Sequence, residues 1–277
     1  MNRRSFLVTL TGAVLSQGFS VAQSGGRRLG KIGLELYTVR RELEKDFEGT
    51  LVKLAAIGYE ELEFAGYFSH APREVKAILD GHGLAAPSAH IPFASLREGW
   101  QAVLDSAHLI GHRFLVCASV PPEARRTLDD WKRAGELFDR VGEASRRAGI
   151  QFAYHNHDFE FAQVNGQLPY DILLAKTDSA LVQLEMDLYW ITKGGQDPLK
   201  YFALYPGRFP LVHVKDMDST PRHFFTEVGR GTIDFKRIFA QATAAGVKHY
   251  FVEQDECPGS PFDSIKISFD YLKELKF

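Results

Sequence analysis

Eight short runs rich in β-branched and aromatic residues alternate with stretches of helical periodicity, and this alternation constrains the fold more than any other feature. The runs are KIGLELYTV from Lys31, YEELEFA from Tyr59, LAAPSAHI from Leu84, RFLVCAS from Arg113, IQFAYHN from Ile150, LVQLEMDLY from Leu181, FPLVHVKD from Phe209 and HYFVEQD from His249. Parallel strands need helical crossovers, so the alternation favours βαβ units. Eight such units, without a G-x-G-x-x-G turn after the first run, predict an α/β fold: one closed (β/α)8 TIM barrel rather than an open doubly wound sheet.

The first residues are interpreted as an export signal and are excluded from the barrel. The segment MNRRSFLVTLTGAVLSQGFSVAQ carries Arg3 and Arg4, a moderately apolar run and the small residues SVA near its end. This order is typical of a bacterial export signal, and the arginine pair resembles the twin-arginine type. A general secretory signal or a membrane tether is the alternative. We expect a signal over 1–23, a barrel over 24–277, and a periplasmic or secreted mature protein.

Charge and cysteine content exclude several classes of protein. The chain has 33 Lys and Arg residues against 35 Asp and Glu residues, a net charge of -2, which falls to about -4 without the signal. Nucleic-acid binders usually carry a basic surface, so no nucleic-acid partner is expected. Cys117 and Cys257 are the two cysteines of the sequence and are expected to be unpaired. Outside the signal, no run of the sequence is long and apolar enough for a membrane helix, so no membrane association is expected after its removal.

Polar side chains collect at the predicted C-terminal ends of the strands, where catalytic residues of such barrels lie. They are Glu63, His90, His155, His157, Asp187, His213, Lys215 and Glu253. Residues two apart in a strand share a face, so His155 points the same way as His157, and His213 the same way as Lys215. Crowded carboxylates and imidazoles need compensation, which a divalent cation provides. The mixture of Asp, Glu and His predicts one divalent metal ion, either manganese, zinc, cobalt or magnesium.

The motifs YHNHDFEF, LEMDLYW followed by GGQDP, HVKDMD, VGRGTIDF and VEQD resemble those of the xylose isomerase-like barrels of the sugar phosphate isomerase/epimerase group. The resemblance covers essentially the whole mature chain. It implies one metal held at the ends of strands five to eight, with Asp187, His213 and Glu253 as ligands. Strand five departs from the family pattern, because HNH stands where many relatives have a glutamate. Either His155 or Glu160 would then be the fourth ligand, and Glu160 is slightly favoured because it adds a second anionic ligand.

The implied chemistry begins with removal of a proton next to a carbonyl, which gives an enediolate. The expected function is a metal-dependent isomerase or epimerase acting on a sugar, keto-sugar or cyclitol. The same site would also support a lyase or dehydratase acting on a keto-glycoside or inosose. Either Glu160 or His157 would be the base, and Lys215 would stabilise the oxyanion. The candidate catalytic residues are Glu160, His157, Lys215 and Glu253, and the candidate substrate contacts are Glu63, His90, Trp190 and Arg230.

Two other functions remain open at this point. A metal-dependent hydrolase could use the same ligands, although the first strand lacks the H-x-H pair of the amidohydrolase barrels. A non-catalytic sugar-binding barrel is the other alternative. The expected partner is a small sugar or keto-sugar, and because barrels of this family are often dimers or tetramers, a homo-oligomer is also considered.

Overall fold

The computed structural model describes residues 26–277, in which eight parallel strands close into a barrel. The barrel strands are β1 (Gly33–Glu35), β2 (Glu61–Phe64), β3 (Ala85–Ile91), β4 (Phe114–Cys117), β5 (Gln151–His155), β6 (Val182–Asp187), β7 (Leu211–Val214) and β10 (His249–Val252), and a small hairpin adds β8 (Asp216–Met217) and β9 (Phe225–Thr226). The order around the barrel is β1-β10-β7-β6-β5-β4-β3-β2, so β5 lies opposite β1. The predicted single-domain TIM barrel is confirmed, and the predicted signal lies outside the described residues.

Helices and short turns connect the strands and cover the barrel. The helices are α1 (Arg40–Lys45), α2 (Phe47–Ile57), α3 (Pro72–Gly81), α4 (Trp100–Ile110), α5 (Leu128–Arg147), α6 (Pro169–Lys176), α7 (Leu188–Lys193), α8 (Pro198–Leu204), α9 (Phe235–Ala240), α10 (Ala242–Ala245) and α11 (Pro261–Glu274). The longest, α5, begins at a capping box of Thr127 and Asp130 and buries Trp131. α2 ends at Gly58, whose φ of +120° and closeness to the Phe269 ring leave no room for a side chain.

The buried apolar residues form two clusters with different positions. The large cluster lies between the strands and the helices, as expected for strands buried on both faces. A small cluster of Phe114, Val116, Ala153, Leu211 and Phe251 fills the barrel interior. Leu211 and His213 lie two apart in β7 and share a face, so this apolar layer lies one step below the polar ends of the strands. The closed interior therefore leaves only the C-terminal end of the barrel open for chemistry.

The loop after β7 is organised by one buried carboxylate. Asp216 accepts hydrogen bonds from the backbone N–H groups of Met217 at 2.8 Å, Gly229 at 2.9 Å, Gly231 at 3.0 Å and Ile233 at 3.2 Å. A side chain at position 231 would collide with this carboxylate, which accounts for the second glycine of VGRGTIDF. The amide groups of that motif thus bind a side chain of the same chain.

Both cysteines are free thiols, with Cys117 buried and Cys257 half-buried. Over residues 26–277, no helix has the length and apolar character needed to cross a membrane.

Replacing Asp216 with asparagine should destabilise the protein by about 1–3 kcal/mol, because the amide NH2 group would face backbone N–H donors in a buried site. Urea denaturation of Asp216→Asn measures this change. Asp270→Asn is the matched control, since Asp270 is exposed and pairs only with Lys266 on the same helix. Equal stabilities of the two variants would contradict the role given to Asp216.

Candidate active site at the barrel mouth

The C-terminal ends of the strands bring one lysine, several imidazoles and six carboxylates into one mouth. The carboxylates belong to Glu35, Glu63, Glu185, Asp187, Glu253 and Asp255. All of them are buried except Asp255, which is partly exposed. Because each unpaired buried charge costs several kcal/mol, the contacts among these groups decide what the site can bind.

Asp187, His213 and Glu253 lie together, as the sequence predicted for three metal ligands. Their ligand atoms all lie within 4.8 Å of one another. His213 Nδ1 is 2.8 Å from Glu253 Oε2, and Lys215 Nζ is 2.7 Å from the same oxygen and 3.1 Å from Asp187 Oδ2. The other oxygen of Asp187 accepts the N–H of Trp190 at 2.7 Å and caps α7, so the carboxylate has a fixed orientation.

Glu185 lies deeper in the barrel, among three imidazoles. Its Oε2 is 2.7 Å from His90 Nε2, 3.1 Å from His155 Nδ1 and 3.2 Å from His213 Nε2. Its Oε1 is buried and has no hydrogen-bond partner among the described residues. Strand alternation predicts from the sequence that Glu185 shares the lumen face with Asp187, but Glu185 is not among the candidate metal ligands or catalytic residues proposed from the sequence. Glu63 lies beside it, 2.6 Å from His213 Nε2, and accepts a hydrogen bond from Ser88.

Two histidines each use one ring nitrogen for a deep carboxylate and turn the other toward the mouth. His155 places Nδ1 on Glu185 and leaves Nε2 3.9 Å from Asp187 Oδ2. His213 places Nε2 on Glu63 and turns Nδ1 toward Glu253. A histidine that donates one N–H to a carboxylate keeps a lone pair on the other nitrogen, which is the usual arrangement of a metal ligand. Two groups of possible ligand atoms, each within 4.8 Å of one another and sharing His213, therefore fit a divalent cation: Asp187, His213 and Glu253, and His90, His155, Glu185 and His213.

Glu160 lies apart from both groups, contrary to the preference for it as the fourth ligand. Its carboxylate accepts hydrogen bonds from the Tyr154 hydroxyl and, at 2.8 Å, from the His157 backbone N–H. Tyr154 alternates with His155 along β5 and so faces away from the lumen, which keeps Glu160 on the outer side of the barrel wall. Burial raises the pKa of Glu160 to about 7, although the hydrogen bond from Tyr154 opposes the shift. The structure thus brings His155, not Glu160, to the metal-binding group.

The asparagine of HNH also has a role that sequence reasoning missed. The Asn156 side chain accepts the Asp187 backbone N–H at 3.1 Å and donates to its carbonyl at 3.4 Å. It thereby ties the end of β5 to the end of β6. The motif places His155 in the lumen and holds the backbone of the neighbouring ligand Asp187.

The candidate base and substrate contacts fall in different places. His157 lines the mouth, stacks on Phe159 with ring centroids 5.2 Å apart, and lies 5.6 Å from Trp190. His90 also lines the mouth, whereas Glu63 lies below it, on His213. Arg230 is largely exposed, lies 3.6 Å from Glu227, and does not line the mouth cavity. The predicted contact by Arg230 is therefore not supported by its position.

The protonation states of the mouth follow from burial and neighbouring charges. Burial opposes the charge on Lys215, but Asp187, Glu253 and Asp255 outweigh it and hold the pKa of the ammonium well above its usual range. Burial, followed by the charge of Lys215, lowers the pKa of His157 to about 3. Burial, followed by the charge of Glu253, raises the pKa of Glu35 well above its usual range. These shifts favour a cationic Lys215, a neutral His157 and the protonated form of Glu35 in the mouth.

The comparisons with known proteins agree with this fold. The family described as "Xylose isomerase-like TIM barrel" matches residues 51–275, so the chain belongs to this family. An inosose dehydratase of Lacticaseibacillus casei is 25% identical over 268 aligned positions, covering 83% of this chain and 89% of the relative. A sugar phosphate isomerase/epimerase from Parabacteroides distasonis ATCC 8503 has a crystal structure that is 30% identical, with a TM-score of 0.78, covering 93% of this chain and 97% of that chain. The crystal structure of an IOLI protein with a bound zinc atom is 13% identical, with a TM-score of 0.70 and coverage of 87% and 95%, a likeness of fold.

The family predicted from the motifs is confirmed by these matches. They also confirm the prediction that the chain is an enzyme. The relatives include dehydratases as well as isomerases and epimerases. Membership of the family therefore does not decide which product the reaction forms.

Replacing Glu185 with glutamine should weaken metal binding about 10- to 100-fold, the usual effect of losing a carboxylate behind a ligand histidine. The amide N–H of glutamine would face the imidazole and favour the tautomer that protonates the ligand nitrogen. Competition with a chelating dye measures the zinc and manganese affinities without reference to activity.

Glu61→Gln is the matched control for this measurement. Glu61 also bonds a histidine, with its Oε2 2.7 Å from His249 Nδ1, but it lies at the opposite end of the barrel strands. Unchanged metal affinity in Glu185→Gln, or an equal loss in Glu61→Gln, would contradict the role given to Glu185.

Proposed function

We propose that the protein is a divalent-metal-dependent lyase that eliminates a leaving group from a keto-sugar or a ketone of a cyclitol through an enediolate. The observation that carries this proposal is the placement of a proton donor and a proton acceptor on opposite sides of one mouth. Elimination needs both groups, because one proton leaves carbon while another must reach the departing oxygen. The inosose dehydratases among the relatives support the same outcome.

His155, Asp187, His213 and Glu253 are the residues that would hold the metal. Two nitrogen and two carboxylate ligands favour zinc, manganese or cobalt over magnesium, which prefers oxygen. A divalent ion at this position polarises a substrate carbonyl and stabilises negative charge on its oxygen. The unpartnered, buried Glu185 Oε1 supports a bound cation. Burial opposes a charge on His213, yet Glu185 and Glu253 hold the pKa of this imidazole well above its usual range, so the site attracts positive charge.

Lys215 supplies a second positive charge at the reacting oxygen. Its Nζ lies 2.7 Å from Glu253 Oε2 and 2.7 Å from Asp255 Oδ2, and its side chain is buried. The ammonium is therefore fixed before substrate binds, and because its three N–H groups already face the carboxylates of Asp187, Glu253 and Asp255, it acts on an enediolate oxygen as a fixed positive charge. Its Nζ also lies 5.4 Å from the centroid of the Trp190 ring, which is not among the described residues that line the mouth cavity, so the substrate contact of Trp190 stays a prediction.

Glu35 and His157 are the proton donor and acceptor of the proposal. Glu35 ends β1, and its Oε1 is buried without a hydrogen-bond partner in the part of the chain described. His157 follows β5, on the far side of the barrel, and its Nδ1 likewise has no partner within residues 26–277. Both line the mouth cavity. The pKa shifts described above favour the protonated form of Glu35 and the neutral form of His157, which are the forms that donate and accept a proton, although a pKa of about 3 makes His157 a weak base.

The steps balance with these two groups. The C–H bond next to the carbonyl breaks, its proton passes to His157, and its electron pair becomes the enediolate that Lys215 stabilises. The pair then forms a carbon–carbon double bond as the bond from carbon to the leaving oxygen breaks. Glu35 gives its proton to that oxygen, so the products are an unsaturated ketone and an alcohol or water.

An isomerase or epimerase is the second candidate, and the Parabacteroides distasonis relative supports it. In that reaction His157 would return the proton to carbon, and no proton from Glu35 would be needed. The two outcomes share the enediolate and differ in the need for Glu35. Variants of that residue therefore separate them.

Glu35→Gln should slow elimination about 10²- to 10⁴-fold, the usual contribution of a positioned acid, while hydrogen exchange next to the carbonyl continues. His157→Asn should slow both processes, because it removes the acceptor. Incubation with inososes and 3-keto-glycosides in D2O measures exchange by mass spectrometry and elimination by absorbance of the unsaturated ketone. Metal content of each variant controls for loss of the site.

Three results would change the proposal. Full elimination by Glu35→Gln would remove the acid from the mechanism, and epimer formation without a double bond would favour the isomerase. Turnover of a substrate without any exchange at carbon would contradict the enediolate and favour a hydrolase. Stoichiometric sugar binding without turnover would favour a binding protein.

We also infer export to the periplasm or the exterior, on the basis of the predicted signal over 1–23. Replacing both Arg3 and Arg4 with lysine should retain the protein in the cytoplasm if the twin-arginine route is used, because that route reads the arginine pair. Cell fractionation followed by immunoblotting measures the distribution. Continued export of the double variant would favour the general secretory route.

A further inference from the structure

The mouth cavity, of about 460 Å³, has two walls of different character. The inner wall, defined by Glu35, His90, His157, Lys215 and Glu253, carries the charged and titratable groups described above. The outer wall, defined by Tyr37, Ala65, Gly66, Pro92 and Ala118, is apolar and lies over β1 to β4. Each outer-wall residue follows the last residue of its strand, or the residue after it, and so lies further from the barrel centre. A ligand that fills the cavity therefore meets polar groups at one end and an apolar surface at the other.

Tyr37 is an exposed aromatic residue held in a fixed position. The residue is 42% exposed, and the Arg40 guanidinium lies over its ring, 3.8 Å from the ring centroid. Arg40 also donates to the Tyr37 carbonyl at 2.6 Å and to the Asp255 carbonyl at 3.2 and 3.3 Å. One face of the ring is thus covered by a cation that is itself fixed, and the ring still borders the cavity. Such a ring offers a rigid apolar platform at low entropic cost.

The platform lies next to the proposed acid. The Tyr37 backbone N–H donates to Glu35 Oε2 at 2.5 Å, so the two residues form one turn after β1. Glu35 protonates the leaving oxygen in the proposed reaction. Whatever the leaving oxygen carries must then lie on the side of the cavity that holds Tyr37.

The outer wall does not suit a phosphate or another anionic group. Among the described residues, those of the outer wall include no cationic side chain, and the nearby Arg40 already bonds two carbonyls and the Tyr37 ring. A phosphate would need several N–H donors or cations. A neutral ring with an apolar face, by contrast, loses little solvation there and gains contact with the tyrosine.

We propose that the outer wall is a subsite for a second ring, and that the substrate is a keto-glycoside whose leaving group is that ring, stacked on Tyr37. This inference rests on the proposed elimination and refines it: the departing oxygen carries a sugar or an aromatic aglycone instead of a hydrogen. A second sugar and an aromatic aglycone share the chemistry that Tyr37 recognises, which is a ring with an apolar face.

Isothermal titration calorimetry with three neutral probes tests the subsite without turnover. Methyl β-D-glucoside, phenyl β-D-glucoside and cellobiose are titrated into the manganese-loaded protein. Phenyl β-D-glucoside or cellobiose should bind about tenfold more tightly than methyl β-D-glucoside, the scale of one aromatic stacking contact. Whichever of the two binds more tightly identifies the kind of second ring.

Tyr37→Ala should remove that difference, whereas Tyr37→Phe, which keeps the ring face, should retain it. Equal binding of all three probes, absence of binding by both two-ring probes, or a preference that survives Tyr37→Ala would overturn the subsite. The metal affinity and the D2O exchange assay do not depend on Tyr37. Failure of the subsite would therefore leave those results intact, while failure of the proposed elimination would appear in them first.

Discussion

Negative charge buried at one end of a closed barrel is the constraint on which the rest of the site depends. Six carboxylates share a mouth with a single lysine, and most of them are shielded from water. In such surroundings a carboxylate must be paired, hydrogen-bonded, protonated or bound to a cation. The structure combines several of these solutions: Lys215 bridges Asp187 and Glu253, imidazoles surround Glu185, and burial followed by the charge of Glu253 raises the pKa of Glu35.

The deep carboxylates decide which ring nitrogen of each histidine faces the mouth. An imidazole alone can present either nitrogen, and the deep carboxylates Glu63 and Glu185 decide which one carries hydrogen. His155 and His213 consequently turn their other nitrogens toward Asp187 and Glu253, where a bound cation would take the place of a proton. The apolar layer beneath, with Leu211 and Phe251, keeps water from the deep carboxylates and lowers the local dielectric, which strengthens their hydrogen bonds to the imidazoles.

The circular order of the strands places Glu35 and His157, the proposed proton donor and acceptor, on opposite sides of the mouth. β1 and β5 are four strands apart in either direction, so Glu35 and His157 face each other across the mouth. The same order puts Tyr37 beside Glu35 and Trp190 beside His157. This arrangement supports the proposed elimination, in which the leaving group departs on the Tyr37 side, over a reaction that needs a single proton-transfer group.

Sequence periodicity by itself determined the barrel, the end of it that carries the chemistry, and the pairing of side chains two apart on a strand. It thereby placed Asp187, His213, Lys215 and Glu253 in one mouth, because alternation along a strand is a local property of the backbone. Tertiary structure decided the rest. The Glu160 carboxylate accepts a hydrogen bond from the outward-facing Tyr154, so it lies outside the lumen, whereas His155 lies inside it. Glu35 belongs to the site only because β1 closes against β10, a contact between distant parts of the chain that no local pattern encodes.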